Sequence, residues 1–163
     1  MPVRQQRVSL GLSVPWGEFA WQAPGLAEFG VRRLAAAPAY LATLDRSSAP
    51  RVHPVTPIVG EGRLFIFMEP TSPKGDDIAR RGVYALHSRV PDANGTGGEF
   101  YVRAHGQRSE SPDLRAVAAR VAMYTPHDRY VLVELGIAEA RCNGYGDVAL
   151  SEPRSWRSTQ SSP

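Results

Sequence analysis

The sequence predicts a mainly β (α+β) fold, a six-stranded antiparallel barrel with short flanking helices, and three observations carry that prediction. Short β-branched or aromatic runs recur, several of them alternating with period two; Gly, Pro, Ser and Asn clusters separate most of them by hairpin lengths; and only three stretches show helical spacing. At 163 residues one core suffices, because a chain of this length buries about 70% of its unfolded surface in a single domain. Residues 1–163 are therefore read as one domain.

Composition narrows the function classes. A hydrophobic fraction of 42% against 21% charged residues excludes a disordered chain. The formal charge is +3, with the basic residues scattered and no nucleic-acid motif beside them, so nucleic acid is not expected and a small anionic ligand accounts for the balance. Arginine supplies every basic side chain but one, Lys74. The single cysteine, Cys142, excludes an intramolecular disulfide and fits a reducing compartment, the cytoplasm by default. Residues 1–23 contain Arg4, Arg7 and Glu18 but no unbroken apolar run, and no stretch approaches the length of a membrane span.

Taken in order, residues 1–23 read as an irregular arm packed onto the body, with Trp16 and Trp21 among polar neighbours. Leu26, Phe29, Val31 and Leu34 predict a helix from Gly25 to Ala37, stopped before Pro38. Ala39–Leu44 is the first strand, and the turn 45–50 leads into a proline-interrupted second strand over 51–59. Gly60-Glu61-Gly62 turns the chain into Arg63–Met68, apolar on both faces and hence central. A helix from Lys74 to Arg81 precedes a fourth strand, Val83–Ser88, and a fifth follows from Glu99 to Glu110. Leu114, Val117, Ala118, Val121 and Met123 give an amphipathic helix over 112–124, and Arg129–Arg141 is the sixth strand. The tail 151–163 is polar and flexible, with Trp156 its one anchor.

Arg51-Val-His-Pro-Val-Thr-Pro-Ile-Val59, with Phe67-Met-Glu-Pro-Thr-Ser-Pro-Lys74 after it, is the stretch that points to function. Pro54 and Pro57 delete backbone donors, so the first segment lies at a sheet edge or beside a ligand. The second enters a helix through a hydroxyl at the N-cap, a proline at the first helical position and a cation. A phosphate there would meet free N–H groups, the positive end of the helix dipole, the Ser72 hydroxyl and the Lys74 ammonium, with Arg51 adding a charge-assisted contact. Asp76 and Asp77 would compete for the same positive field. An ordinary capped helix beside a proline-protected edge strand explains the same residues without a ligand.

These segments, in this order and followed by Tyr84-Ala-Leu-His87, resemble the pyridoxamine 5'-phosphate oxidase-related split β-barrel family over roughly Ala27 to Arg141. The resemblance implies a homodimer holding FMN, or in some branches the 8-hydroxy-5-deazaflavin coenzyme (coenzyme F-420), in grooves between two barrels. It implies cofactor contacts at Arg51 and Thr56, with Val52, His53 and Pro54 between them, and further contacts at Phe67 and Met68. It implies phosphate binding at Ser72 and Lys74, and a tail tryptophan, Trp156, near the ring. The chain departs from members that oxidise vitamin B6 phosphates at Thr56, where they carry lysine, at Pro73, where they carry arginine, and in lacking their terminal Arg-x-His. Vitamin B6 phosphate oxidation is therefore not expected.

The expected activity is that of an FMN-dependent oxidoreductase moving hydride to or from a small organic substrate. A deazaflavin-dependent reductase on the same fold, or a protein that binds flavin or haem without turnover, is the alternative. His53, His87, His105 and His127 have no metal-ligand spacing, and no nucleophile motif is present. The catalytic residues stay unknown at this level.

Overall fold

The computed structural model describes residues 10–145, 149–150 and 152–159. In chain order the elements are α1 (Trp16–Gln22), α2 (Pro24–Ala35), β1 (Ala39–Leu44), β2 (Pro50–Val55), β3 (Ile58–Gly60), β4 (Arg63–Met68), α3 (Pro73–Arg81), β5 (Val83–His87), β6 (Glu99–Ser109), α4 (Pro112–Val121), β7 (Val131–Leu135), β8 (Glu139–Asn143) and β9 (Ser155–Arg157). The strands form one antiparallel sheet whose main path runs β2-β1-β5-β6-β7-β4-β3, with β8 beside β6 and β9 beside β8.

Curling of that sheet follows from its connectivity. β2 and β3 are the two ends of the path, yet only Thr56 and Pro57 separate them in sequence. Three Cα steps span at most roughly 11 Å, so the sheet must bend until its ends lie side by side. No ladder joins β2 to β3, and the barrel is split along that seam.

The described residues contain nine strands rather than six. Predicted strand 51–59 is two, because Pro57 has no N–H and restricts Thr56 before it, so one ladder cannot run through. Predicted strand 129–141 is also two: at Gly136 the chain donates to His105 and Ile137 turns to bridge Val14. A Cβ on Gly136 would lie 2.7 Å from that of Ser13, which is why the crossing needs glycine. The ninth strand lies in the predicted flexible tail, where Trp156 pairs with Ala140 and the Arg157 guanidinium lies 3.6 Å from the Glu139 carboxylate.

The arm is corrected likewise: residues 16–22 form α1, since Trp16 and Phe19 recur one turn apart and both are buried, while Trp21 stays exposed. Met123 does not join the apolar face of α4, which ends at Val121 and leaves that side chain exposed. Residues 1–9, 151 and 160–163 of the predicted arm and tail lie outside the described residues.

β4 is central, as its two apolar faces predict. Leu64, Ile66 and Met68 enter the main core with Phe19, Leu26, Leu41, Leu86 and Phe100, while Phe65 and Phe67 enter a second cluster under α4 with Ile58, Ala118 and Leu132. Each fully buried Leu or Phe contributes about 1.5–3 kcal/mol, so these two clusters dominate stability. On the opposite, outward face of β1, β2 and β5, Ala42 stands in register with Val52 and Ala85, and Tyr40 lies two residues along on the same face. Val52 is 65% exposed there.

α2 approaches β6 so closely that a Cβ on Gly30 would sit 2.5 Å from the Phe100 ring. We predict that Gly30→Ala lowers stability by about 1–3 kcal/mol through overpacking, although alanine is the better helix former. Urea denaturation checks this; an unchanged or raised midpoint would show that the helix can move away.

Candidate functional site

Antiparallel register sets Thr43 opposite Arg51 and Leu41 opposite His53. With period two, these side chains share the inward face of the hairpin. α3 crosses that face and packs on β1 and β6. Its ends follow from sequence: Pro73 opens the first turn after the extended Ser72, and Gly82 closes the last with φ 72°.

A buried carboxylate joins helix to hairpin. Asp77, 2% exposed, accepts from the Thr43 hydroxyl at 2.8 Å and lies 3.3 Å from Nε of Arg51 and 3.8 Å from a guanidinium nitrogen of Arg80. The Arg51 contact is an ion pair without hydrogen-bond alignment, so Nε of Arg51 keeps an unmet donor.

Lys74 stands at the helix entrance. Its ammonium donates to Oγ of Ser72 at 2.8 Å, and among the described residues no carboxylate lies within ion-pair distance of it. Burial pulls its pKa below the ordinary lysine value. The Ser72 hydroxyl caps no backbone N–H, which leaves it to serve Lys74.

His53 completes the group. Its Nε2 is buried and has no hydrogen-bond partner. Burial lowers the imidazole pKa, the charges of Lys74 and Arg51 lower it further, and Asp77 opposes them. The neutral ring therefore prevails at neutral pH. Chemically, the arrangement can hold an anion and offer an imidazole nitrogen beside it; no cluster of three or more metal-ligating side chains occurs among the described residues.

Arg51, His53, Ser72 and Lys74 are thus brought together. Met68 lies beneath the helix entrance, where a Cβ on Gly75 would come within 3.1 Å of its sulfur, but its side chain belongs to the core. Val52 and Pro54 share the strand and face outward. Thr56 is exposed in the β2–β3 link, beside a cleft lined by Val31, Leu34 and Val121. Phe67 is buried under α4, its ring 5.1 Å from the Arg115 guanidinium. Trp156, five strands from β2 along the sheet, packs 5.1 Å from Phe19 and donates to Gln22. Within one chain, Thr56, Phe67 and Trp156 do not reach Lys74's group.

Thr43 is a site residue that the sequence pattern does not single out, and Asp77, expected to compete for the positive field at the helix mouth, is instead buried against Thr43 and Arg51. Ile78 is the one large apolar residue of α3, so the face it centres is the buried one, and Asp77 lies on that face. That signal is present in the sequence. The engagement of Asp77 with Arg51 is not, because it depends on which strand the helix covers.

No protein-family model matches the chain, and no curated protein is similar to it in sequence. Solved structures are similar in fold. A heme binding protein from Mycobacterium smegmatis matches with a TM-score of 0.60 at 18% identity over 83% of this chain, which spans 58% of that protein's length. The heme storage protein HutZ from Vibrio cholerae matches at 0.57 and 14% over 76% of this chain and 95% of its own. A Listeria innocua protein provisionally named as a pyridoxamine 5'-phosphate oxidase matches at 0.58 and 10% over 71% and 95%. The fold is a split barrel. No helix among the described residues is long and apolar enough to cross a membrane.

The lowered His53 pKa fixes a sign. The unfolded chain, with its histidine near the ordinary value of 6.5, binds the proton that the folded state resists, so this contribution is present above that value and lost as pH falls through the folded pKa. We predict that the urea midpoint drops as pH is lowered below about 6.5 and that His53→Gln flattens this part of the profile. An equal slope in both proteins would remove His53 from the site's electrostatics.

Proposed function

We propose that this chain is an FMN-dependent oxidoreductase that holds its cofactor's phosphate at the entrance of α3 and works as a homodimer. The observation that carries the reading is Lys74, a half-buried ammonium that meets one hydroxyl and no carboxylate among the described residues. A cation withdrawn from water without a counter-ion calls for an anionic ligand. The Arg51 side chain, 39% exposed and beside the same entrance, would add a second cation.

In this reading Lys74, Ser72 and Arg51 bind the phosphate, while His53 and the backbone at the open edge of β2 orient the ring. FMN, when bound, supplies the acceptance and donation of hydride. The protein's part is to position the ring and exclude water, so no dedicated acid or base is required. Arg46 and Arg80 line the cleft beside Arg51, which would suit the acidic tail of the deazaflavin coenzyme, but Asp45, Asp76 and Asp77 line it too and offset them. FMN is the better match. Proteins of similar fold include two that bind or store haem and one provisionally assigned as a pyridoxamine 5'-phosphate oxidase, which supports a ligand-binding role for this fold. The outward face carrying Tyr40 and Val52 is the surface a second copy would cover.

Two outcomes test the reading. Lys74→Ala is expected to weaken FMN at least several-fold, since a charge-assisted hydrogen bond is worth about 1.5–3 kcal/mol, while riboflavin, which lacks the phosphate, is unaffected. Fluorescence titration of the cofactor-stripped protein measures both; equal losses for the two flavins, or none, would remove Lys74 from a phosphate site. Turnover is checked separately, by reduction of bound FMN with a nicotinamide donor and its reoxidation by a substrate. For the dimer, Val52→Asp is expected to give monomers in sedimentation analysis of a wild type that runs as a dimer. A monomeric wild type would refute the assembly.

A further inference from the structure

We propose that the cleft at the barrel seam binds an uncharged, apolar molecule of one or two rings, and that this molecule is the substrate class of the oxidoreductase. The substrate role rests on the flavin reading, whereas the cleft is defined by the chain alone. Val31 and Leu34 line it from α2, Pro57 and Val59 from the β2–β3 link and β3, and Val121 and Met123 from the end of α4 and just beyond. Thr56 is the single polar residue among the described residues that line it, and none of them is charged. The volume is about 270 Å³. That lies just below the range of about 300–1,000 Å³ for drug-sized ligands, so one or two rings fill it. A turn of helix, about 10–12 Å across, is too wide to enter.

The lining sets the ligand's chemistry. A charged group brought into it would lose its hydration and find no counter-ion among the lining residues, so charged compounds are disfavoured. An apolar ring would release water from the same surface, and the Thr56 hydroxyl supplies one polar contact for a carbonyl or hydroxyl carried by the ring. Leu34 is buried, but Val31 is 40% and Met123 98% exposed, so apolar side chains stand in water at the mouth. A flexible thioether there gains by folding over an apolar ligand. The relation to the cofactor follows from β2: Thr56 comes three residues after His53, at most roughly 11 Å along the chain. A ring laid along the edge of β2 from Arg51 toward Thr56 therefore ends at the cleft.

Equilibrium dialysis of naphthalene against the purified, cofactor-free full chain tests the cleft without the flavin. Naphthalene is expected to saturate at one equivalent, and 2-naphthalenesulfonate, the same rings with a charge, to bind at least about ten-fold more weakly. Val31→Asp and Met123→Asp alter exposed positions, so both keep the native circular dichroism spectrum, and each is expected to weaken naphthalene at least several-fold. Trp21→Ser, which removes an exposed ring outside the cleft, leaves binding unchanged. The proposal is overturned if naphthalene does not saturate at one equivalent, if the sulfonate binds as well, if both aspartate variants retain wild-type binding, or if Trp21→Ser weakens it equally. In the FMN-loaded chain, naphthalene is expected to shift the flavin absorption bands, and Val31→Asp to abolish the shift. A bound flavin whose spectrum ignores bound naphthalene would take the substrate role away from the cleft. Naphthalene bound by a chain that takes no FMN would overturn the flavin reading and leave the cleft as a binding site.

Discussion

A two-residue covalent link between the ends of a seven-strand path is the constraint on which the rest of this molecule depends. Because Thr56 and Pro57 tie β2 to β3, the sheet cannot lie flat, and its inward face becomes a closed core. The same link leaves β2 without a second strand neighbour, so a strand carrying Pro54 costs no ladder there. The open edge and the enclosed core are two results of one short connection. What lies at that edge is then decided by α3, the helix that crosses it.

The position of α3 rests on Asp77. A carboxylate that is almost wholly buried would be costly alone, but the Thr43 hydroxyl and the guanidinium groups of Arg51 and Arg80 surround it. This arrangement explains why Lys74 is left without a counter-ion. The acidic residue that could have neutralised it points instead at the hairpin, and Asp76 faces solvent. The helix thus separates its charges by face, negative under its middle and positive at its mouth.

Much of this is legible in the sequence. Period-two runs locate β1, β4, β5 and β6 to within a residue or two, and proline and glycine mark both ends of α3. Helix α1 is harder, because seven residues rich in Trp, Gly and Glu show a weak pattern until Phe19 has a core to enter. The tail is harder still: three residues of strand hold only because β8 offers a free edge, a fact that no local pattern encodes. Of the predicted site, Arg51, His53, Ser72 and Lys74 converge because two short segments flank one helix entrance. Thr56, Phe67 and Trp156 do not join them, since strand alternation and the break at Pro57 send them elsewhere.

The topology also bears on how the chain reaches this state. β1 with β2 and β3 with β4 are local hairpins, but the ladder of β4 with β7 joins Phe65 to Glu134, and β1 with β5 joins Leu41 to Leu86. Loop closure over such distances must precede the contacts that reward it, which makes folding slow and leaves unpaired strand edges exposed on the way. The barrel can therefore close only after synthesis has passed β7, and until then the apolar faces of β4 have no partner strand on one side. A nascent chain stalled before residue 131 would be the form of this protein most prone to aggregate.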